Sequence, residues 1–200
     1  MLAAAATNAA AQNVFVTTIA QSQVQIIVDG VTIRTLRIGD TSPEGVRLVE
    51  IRPGVAVFDV RGRSVALGLG QSTVIQTTLQ ADARGHFMVQ ALVNGVAVPA
   101  VIDTGATHVT LNMSHATRMG IDLRGAQRTI SQTANGTTYG YLVPLASVQV
   151  GDIVLRNVVG KVLEGGNEAL PYALIGMSFL KQVEMHRTGA VMTLSRPHLQ

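Results

Sequence analysis

One carboxylate in this chain stands in a setting that suits acid–base chemistry. Asp103 follows the apolar pair Val101-Ile102 and precedes Thr104-Gly105-Ala106. Two carboxylates held close together cannot both ionise easily, so they share a proton, and such a pair can activate water. The run occurs only once in the chain. A two-carboxylate mechanism therefore needs a second copy, and the sequence predicts a homodimer with one shared site.

An Asp-Thr-Gly triplet carries little weight alone, and its neighbours strengthen it. A hairpin is predicted over residues 87–102, turning at Asn94-Gly95 and running directly into Asp103. A second, polar hairpin is predicted over 129–142, turning at Asn135-Gly136. The run Ala173-Leu174-Ile175-Gly176 lies near the C-terminus. These features fall where a strand-borne carboxylate would need support and cover.

Composition predicts a mainly β protein. Of 200 residues, 47% are apolar and only 4% aromatic, and glycine is plentiful at 20 residues. Valines recur throughout, which favours short strands joined by tight turns. Cysteine is absent, which excludes disulfides, thiolate catalysis and cysteine-ligated metal.

Charge and motifs exclude several functional classes. The net charge of +3 comes from scattered arginines with no basic run, so no nucleic-acid partner is expected. His108 and His115 are seven residues apart with no carboxylate placed beside them, so neither a metal nor any other cofactor is expected. Ser178 lacks the closing glycine of a nucleophile elbow, so a serine hydrolase is not expected.

The chain is predicted to have two domains. Residues 1–12 are interpreted as a disordered start or a signal-peptide remnant. Residues 13–70 are predicted to form a small β-domain of five or six strands, with a hairpin at Asp29-Gly30. Residues 71–85 are polar and are predicted to be a linker, and 86–200 form the second domain.

Residues 86–196 resemble the retropepsin-like (retroviral-type) aspartic protease family, closest to its single-domain bacterial members. The Asp-Thr-Gly-Ala turn and Leu174-Ile175-Gly176 carry the resemblance. It implies a retropepsin-like acid protease β-barrel that dimerises. It implies catalytic roles for Asp103, for Thr104 against the facing loop, and for Gly105. It implies substrate binding, with 129–142 as a flap, by Ala106, Thr107, His108, Asn135, Gly136, Thr137 and Ile175.

Two positions depart from the viral pattern. Viral members pair an acidic residue at the position of Thr107 with an arginine at that of Met177, and both are absent here. Contacts around the dimer site should therefore differ.

Ala106 replaces the hydroxyl residue usual in pepsin-like enzymes. This replacement predicts that the pH optimum of activity is less acidic than that of pepsin.

The first domain resembles small β-domains of bacterial inner-membrane secretion proteins through the run from Arg34 to Val46. That resemblance implies a periplasmic or cell-envelope location, with the cytoplasm as the alternative, and an envelope protein as a partner of this domain.

Several functions fit these features. The first is an aspartic endopeptidase acting on an extended peptide or protein segment, with apolar side chains favoured near the scissile bond. The second is a non-catalytic dimeric peptide- or protein-binding module that retains the protease fold. Self-processing at the linker, an intact motif in an inactive protease, and a turn aspartate without chemistry are further alternatives.

Overall fold

The computed structural model describes residues 12–133, 136–164 and 170–197. Contacts divide the chain into two compact units, one of residues 1–75 with 196–200 and one of residues 76–195. Both units are built almost entirely from strands, so the predicted mainly β class is confirmed. In the described residues, no helix has the length and apolar character needed to cross a membrane.

The first unit contains two three-stranded antiparallel sheets. Their strand orders are β1-β2-β3 and β4-β5-β6. The strands are β1 (Val14–Ile19), β2 (Gln23–Val28), β3 (Thr32–Arg37), β4 (Val46–Arg52), β5 (Val55–Val60) and β6 (Arg63–Gly68). Alternate side chains from both sheets, among them Ile26, Leu48 and Phe58, are fully buried in one core.

Tight turns form where the sequence predicts them. Asp29 and Gly30 both have positive φ angles, 51° and 73°, and Asn94 and Gly95 repeat the pattern at 51° and 78°. Two successive positive φ values belong to the type I′ turn, whose twist matches that of the flanking strands. The hairpin that leads to Asp103 is therefore fixed by its turn.

The second unit consists of ten strands and two short helices within the described residues. They are β7 (Val74–Gln80), β8 (Met88–Val93), β9 (Val96–Ile102), β10 (Val109–Leu111), α1 (Met113–Arg118), β11 (Gln127–Thr133), β12 (Gly136–Val150), β13 (Ile153–Leu163), β14 (Ala173–Ile175), α2 (Met177–Leu180), β15 (Glu184–Thr188) and β16 (Val191–Pro197).

The main sheet of this unit closes on itself. Its strand order is β11-β12-β13-β10-β14-β9-β8, and β12 also pairs with β8. The six strands β12, β13, β10, β14, β9 and β8 therefore form a closed barrel, and closure removes the exposed edges of an open sheet. The strand β11 pairs only with the first part of β12, so the two project from the barrel as a hairpin.

The predicted helix after Asn112 is confirmed, and its start is a capping box. The Asn112 side chain accepts a hydrogen bond from the His115 backbone N–H at 2.7 Å, and His115 Nδ1 accepts one from the Asn112 N–H at 3.4 Å. His115 is buried, and desolvation lowers its pKa. This histidine therefore has a structural role.

Two sequence predictions need correction, and one strand was missed. The predicted linker at 71–85 includes a strand, because residues 74–80 form β7, which pairs with β16. The strand β15 was not predicted, since all five of its residues are exposed and it lacks an apolar pattern. Gln12 is buried, and its carbonyl accepts a hydrogen bond from Thr73 Oγ1, whereas residues 1–11 lie outside the described part.

Candidate active site

The loop from Asp103 to His108 joins β9 to β10 and carries the candidate carboxylate. Asp103 is partly exposed, and Thr104, Gly105 and Thr107 are exposed around it. The Gly105 N–H donates to Asp103 Oδ1 at 2.8 Å. This hydrogen bond fixes the orientation of the carboxylate while leaving it accessible, which acid–base chemistry requires.

Backbone hydrogen bonds hold the loop from behind. The strand β14 pairs in parallel with β9, and α2 follows it directly. The bonds run from Asp103 N–H to Ile175 O at 3.1 Å, from Met177 N–H to Ala106 O at 2.8 Å and from Ser178 N–H to Thr107 O at 2.9 Å. The loop is thus part of a packed scaffold, although it contains no regular structure.

Gly176 is the closest point of this packing. A Cβ added there would lie 2.5 Å from the Ala106 carbonyl oxygen and would also overlap the carbonyl oxygen of His108. Its φ of −93° is open to any residue, so close approach rather than backbone conformation requires glycine. Beside it, the buried Ser178 Oγ accepts a hydrogen bond from the Val109 N–H at 2.9 Å.

Strand register sorts the side chains around the loop onto two faces. Ile102 pairs with Ile175, and Leu111 pairs with Val162. All four lie on the closed face, where none is more than 9% exposed. Residues one position away lie on the other face, because strand side chains alternate.

The other face is partly open, and it is called the open face below. Its members are successive register partners on five neighbouring strands: Val101, Leu174, Thr110, Lys161 and Leu142. Val101, Leu174 and Leu142 are each partly exposed. Asp103 lies two residues beyond Val101, so the alternation directs its carboxylate to this face. The open face is the surface on which an extended chain could meet the carboxylate.

The structure brings six of the predicted site residues together. Asp103, Thr104, Gly105, Ala106, Thr107 and His108 share the loop. Gly136 and Thr137 are exposed at the start of β12, and Asn135 lies outside the described residues. The prediction that Ile175 contacts substrate is wrong, because this side chain is fully buried on the closed face. Leu174, one residue earlier, lies on the open face.

Comparisons with known proteins agree with this geometry. Residues 89–182 match the family model described as "gag-polyprotein putative aspartyl protease". A crystal structure of a retropepsin-like aspartic protease from Rickettsia conorii is 30% identical, covers 61% of this chain and 91% of its own, and superposes with a TM-score of 0.53. This chain belongs to the retropepsin-like aspartic protease family. The predicted retropepsin-like fold of the second unit is thereby confirmed, whereas the proposed likeness of the first unit to secretion proteins stays a prediction.

Two curated relatives of this retropepsin-like protein are uncharacterized. One, in the cobV 5′ region of Sinorhizobium sp., is 32% identical over 134 residues, which are 62% of this chain and 57% of that protein. The other, RP867 of Rickettsia prowazekii, is 35% identical over 104 residues, 52% of this chain and 43% of that protein. The chain thus spans about half the length of the curated relatives it matches.

Side-chain contacts at the surface brace the β11–β12 hairpin. Arg128 forms a two-pronged pair with Glu164, at 2.9 and 2.8 Å, and its guanidinium lies 4.2 Å from the centre of the Tyr139 ring. Hydrogen bonds from Arg128 and then Tyr141 lower the pKa of Glu164 to about 2. The hairpin predicted over 129–142 is confirmed, and the contacts that hold it are exposed.

One residue near the site was missed from sequence. Lys161 is 3% exposed within the apolar strand β13, and desolvation lowers its pKa. Burial also lowers the pKa of His108, and the positive charges of Lys161 and Lys181 lower it further. A lone lysine among valines, in a chain with only two lysines, was the available signal.

The described residues contain no group of three or more histidine, cysteine, aspartate or glutamate side chains that could hold a metal ion.

Proposed function

We propose that this protein is an aspartic endopeptidase whose single active site uses Asp103 from each of two chains. The observation that carries the proposal is the placement of Asp103. Its carboxylate is accessible at the end of a barrel strand, is oriented by the Gly105 N–H, and sits on a loop packed from behind. Membership of the aspartic protease family supports it.

The reaction follows from the proximity of the two carboxylates. At about 3 Å apart they share one proton, because the second ionisation would place like charges together. The ionised partner takes a proton from water, and the oxygen of that water attacks the scissile carbonyl carbon. The protonated partner donates to the carbonyl oxygen, which gives a tetrahedral intermediate with two hydroxyl groups. The carboxyl group that took the water proton then gives it to the leaving nitrogen as the C–N bond breaks, and the other carboxylate takes one hydroxyl proton as the new carboxylic acid forms. Thr104, exposed beside Asp103, is proposed to hydrogen-bond the facing copy of the loop and keep the carboxylates coplanar.

The substrate is proposed to be an extended peptide segment lying across the open face. The β11–β12 hairpin is proposed to act as the flap that covers it and excludes water. Gly136 and Thr137, exposed at the far end of the hairpin, are placed to contact such a segment when the hairpin closes. An extended substrate also suits a β-sheet protein, because the substrate backbone can form hydrogen bonds with an exposed strand of the protein.

Cleavage of an unfolded protein between about pH 4 and 7 tests the proposal, because a shared proton requires mild acid. The full-length chain should cut, and Asp103→Asn should lose all measurable cleavage. Asp152→Asn is the matched control, since Asp152 lies in the exposed turn between β12 and β13. Equal loss in both variants would contradict the assignment of Asp103.

A mixing experiment tests whether two chains share the site. When wild-type and Asp103→Asn chains are exchanged in equal amounts, random pairing leaves about a quarter of the dimers with two aspartates. Activity should therefore fall to about a quarter of that of wild type alone at the same total concentration. A fall to only one half would mean that each chain acts independently.

The competing function is a dimeric peptide-binding module without turnover. It would be supported if a chain shown to be dimeric in solution bound peptides yet left all of them intact. The envelope location and an envelope partner for the first unit remain predictions.

A further inference from the structure

The strand β15 is exposed on both faces and along one edge. All five of its residues, Glu184 to Thr188, are exposed. It lies at the end of the strand order β15-β16-β7, and no other strand of the described residues pairs with its outer side. An exposed edge offers N–H and C=O groups to a second strand, so proteins usually cover or interrupt such edges. This outer side is called the free edge below.

The opposite end of the same sheet is attached to the barrel. Thr77 Oγ1 of β7 donates to the Val150 carbonyl oxygen at 3.3 Å and accepts from the Asp152 N–H at 3.0 Å. A Cβ added at Gly151 would overlap the Thr77 side chain, so the turn between β12 and β13 approaches β7 closely. The sheet is therefore held at β7 and open at β15.

Backbone groups point outward along the free edge. The strands β15 and β16 are joined by a two-residue turn, Gly189-Ala190, so Thr188 and Val191 form a hydrogen-bonded pair. Hydrogen-bonded and non-hydrogen-bonded pairs alternate along an antiparallel ladder. The N–H and C=O groups of Met185 and Arg187 therefore point away from β16, where a second strand can bond to them.

The face of β15 that turns toward the barrel is left partly uncovered. Met185 pairs with Leu194, and Arg187 pairs with Met192. Leu194 and Met192 are buried, and directly opposed residues lie on the same face of a sheet. The Arg187 guanidinium lies 5.0 Å from the centre of the Phe87 ring. Met185 is nevertheless 43% exposed, so the apolar layer beneath the sheet ends at this side chain.

A second copy of β15 fits the free edge best in one register. Two strands related by a two-fold axis pair antiparallel, with one residue opposite its own copy. With Met185 at that position, the two methionines cover each other. Glu184 then lies opposite the partner's His186, whose ring N–H can donate to the carboxylate. Centring the pair on Glu184 or Arg187 would oppose like charges, and centring it on His186 would oppose Met185 with an arginine.

A short packed segment joins β15 to the loop that carries Asp103. The Met177 N–H, at the start of α2, donates to the Ala106 carbonyl oxygen of that loop at 2.8 Å. After α2, the Val183 N–H donates to the Leu180 carbonyl oxygen at 3.2 Å, and β15 begins at the next residue. Pairing of two β15 strands would therefore also constrain how far apart the two copies of the loop lie.

We propose that the free edge of β15 is the contact between the two chains that share the active site. It pairs antiparallel with the same strand of a second chain, with Met185 opposite its own copy and Glu184 opposite the partner's His186. The two three-stranded sheets then form one continuous sheet. The inference rests on the proposed function, which needs two copies of Asp103, and it names the surface that brings them together.

A single cysteine tests the register, because the chain has none of its own. In Met185→Cys the two sulfurs should face each other across a residue pair whose Cα atoms lie about 5.5 Å apart, which suits a disulfide. Mild oxidation of the full-length chain should therefore give a covalent dimer on a denaturing gel. Thr188→Cys is the matched control on the same exposed strand. Its own copy would lie about 20 Å away, so it should give no covalent dimer.

Charge reversal tests the pairs beside the centre. Glu184→Lys and His186→Glu should each raise the dissociation constant of the dimer about tenfold or more, since both symmetric pairs lose their attraction. Mixed in equal amounts, the two variants should dimerise with nearly wild-type affinity, because the introduced lysine of one chain then faces the introduced glutamate of the other. Sedimentation velocity measures the dissociation constant. Arg84→Glu, a reversal at an exposed position outside β15, should leave it unchanged.

Dimerisation and cleavage are measured separately, so failure of the inference differs from failure of the proposed function. A covalent dimer from Met185→Cys, with affinity recovered on mixing the charge variants, supports the contact even if no substrate is cut. If the protein is dimeric but Met185→Cys gives no covalent dimer, or if both charge variants dimerise like wild type, the inference is overturned and the protease assignment stands. A chain that stays monomeric at all concentrations would overturn both.

Discussion

The loop that carries Asp103 and the hairpin proposed to cover it are held in opposite ways. Behind the loop, backbone hydrogen bonds and a glycine that admits no Cβ fix the chain against buried neighbours. The hairpin is braced by Arg128 and Glu164, whose side chains are 56% and 30% exposed. Exposed ion pairs contribute little and are screened by salt, whereas close backbone packing cannot relax. The difference indicates a fixed loop at Asp103 and an adjustable hairpin.

Gly176→Ala should produce the largest effect, since it adds a methyl group where two backbone carbonyl oxygens already stand. The free energy of unfolding of the second unit should fall by about 3 kcal/mol. Urea unfolding followed by tyrosine fluorescence measures it, because the three tyrosines all lie in this unit and tryptophan is absent.

Gly68→Ala is the control for this change. Its added Cβ would meet neighbours at 3.4 Å or more, an ordinary contact, and its φ is not positive. It should leave the urea midpoint of the tyrosine signal unchanged. A midpoint for Gly176→Ala equal to that of wild type would mean that the loop can move away, and the contrast with the hairpin would collapse.

Ser178→Ala should have a smaller effect on the same scaffold. It removes the acceptor of the buried Val109 N–H, and Val109 directly follows the loop that carries Asp103. Leaving a buried donor unsatisfied costs about 1–2 kcal/mol, so the urea midpoint should shift measurably but less than in Gly176→Ala. Ser64→Ala, at an exposed position of the first unit, serves as the comparison and should not shift it.

Acid should loosen the hairpin. The pKa of Glu164 falls from 4.5 to about 2 in the folded chain, so its stabilising contribution is complete above about pH 4.5 and is lost as the pH falls toward 2. The NMR signals of the Tyr139 ring should shift across that window, because Arg128 lies over this ring only while Glu164 holds it.

Glu164→Gln provides the check on this effect. In the variant the Tyr139 ring signals should be displaced already at pH 7 and should show no further step between pH 4.5 and 2. Identical titration curves in wild type and variant would show that Glu164 does not govern the hairpin.

Local sequence signals predicted the strands that lead to the site. Asn94-Gly95 specifies a type I′ turn, and the alternating residues beside it leave little choice of register, so the hairpin ending at Asp103 could be placed from sequence. Asn112 marked the start of a helix for an equally local reason.

Long-range pairing could not be read from the sequence in the same way. The parallel pairing of β14 with β9 places Ile175 on the closed face and Leu174 on the open face. A shift of one residue in the register of this pairing would reverse the two assignments. Lys161 was missed for a related reason. Its place on the open face depends on Thr110 and Gly140, which are its neighbours only in the folded sheet.

The strand β12 runs for 15 residues without a break, and its two ends belong to different parts of the unit. Its first half pairs with β11 in the hairpin, and its last residues pair with β8 in the barrel wall. A single inserted residue in the middle of β12 would turn every following side chain to the opposite face, whereas residues added at the far end of the hairpin would leave the wall unchanged. Descendants of this protein can therefore vary the reach of the hairpin freely only at its tip.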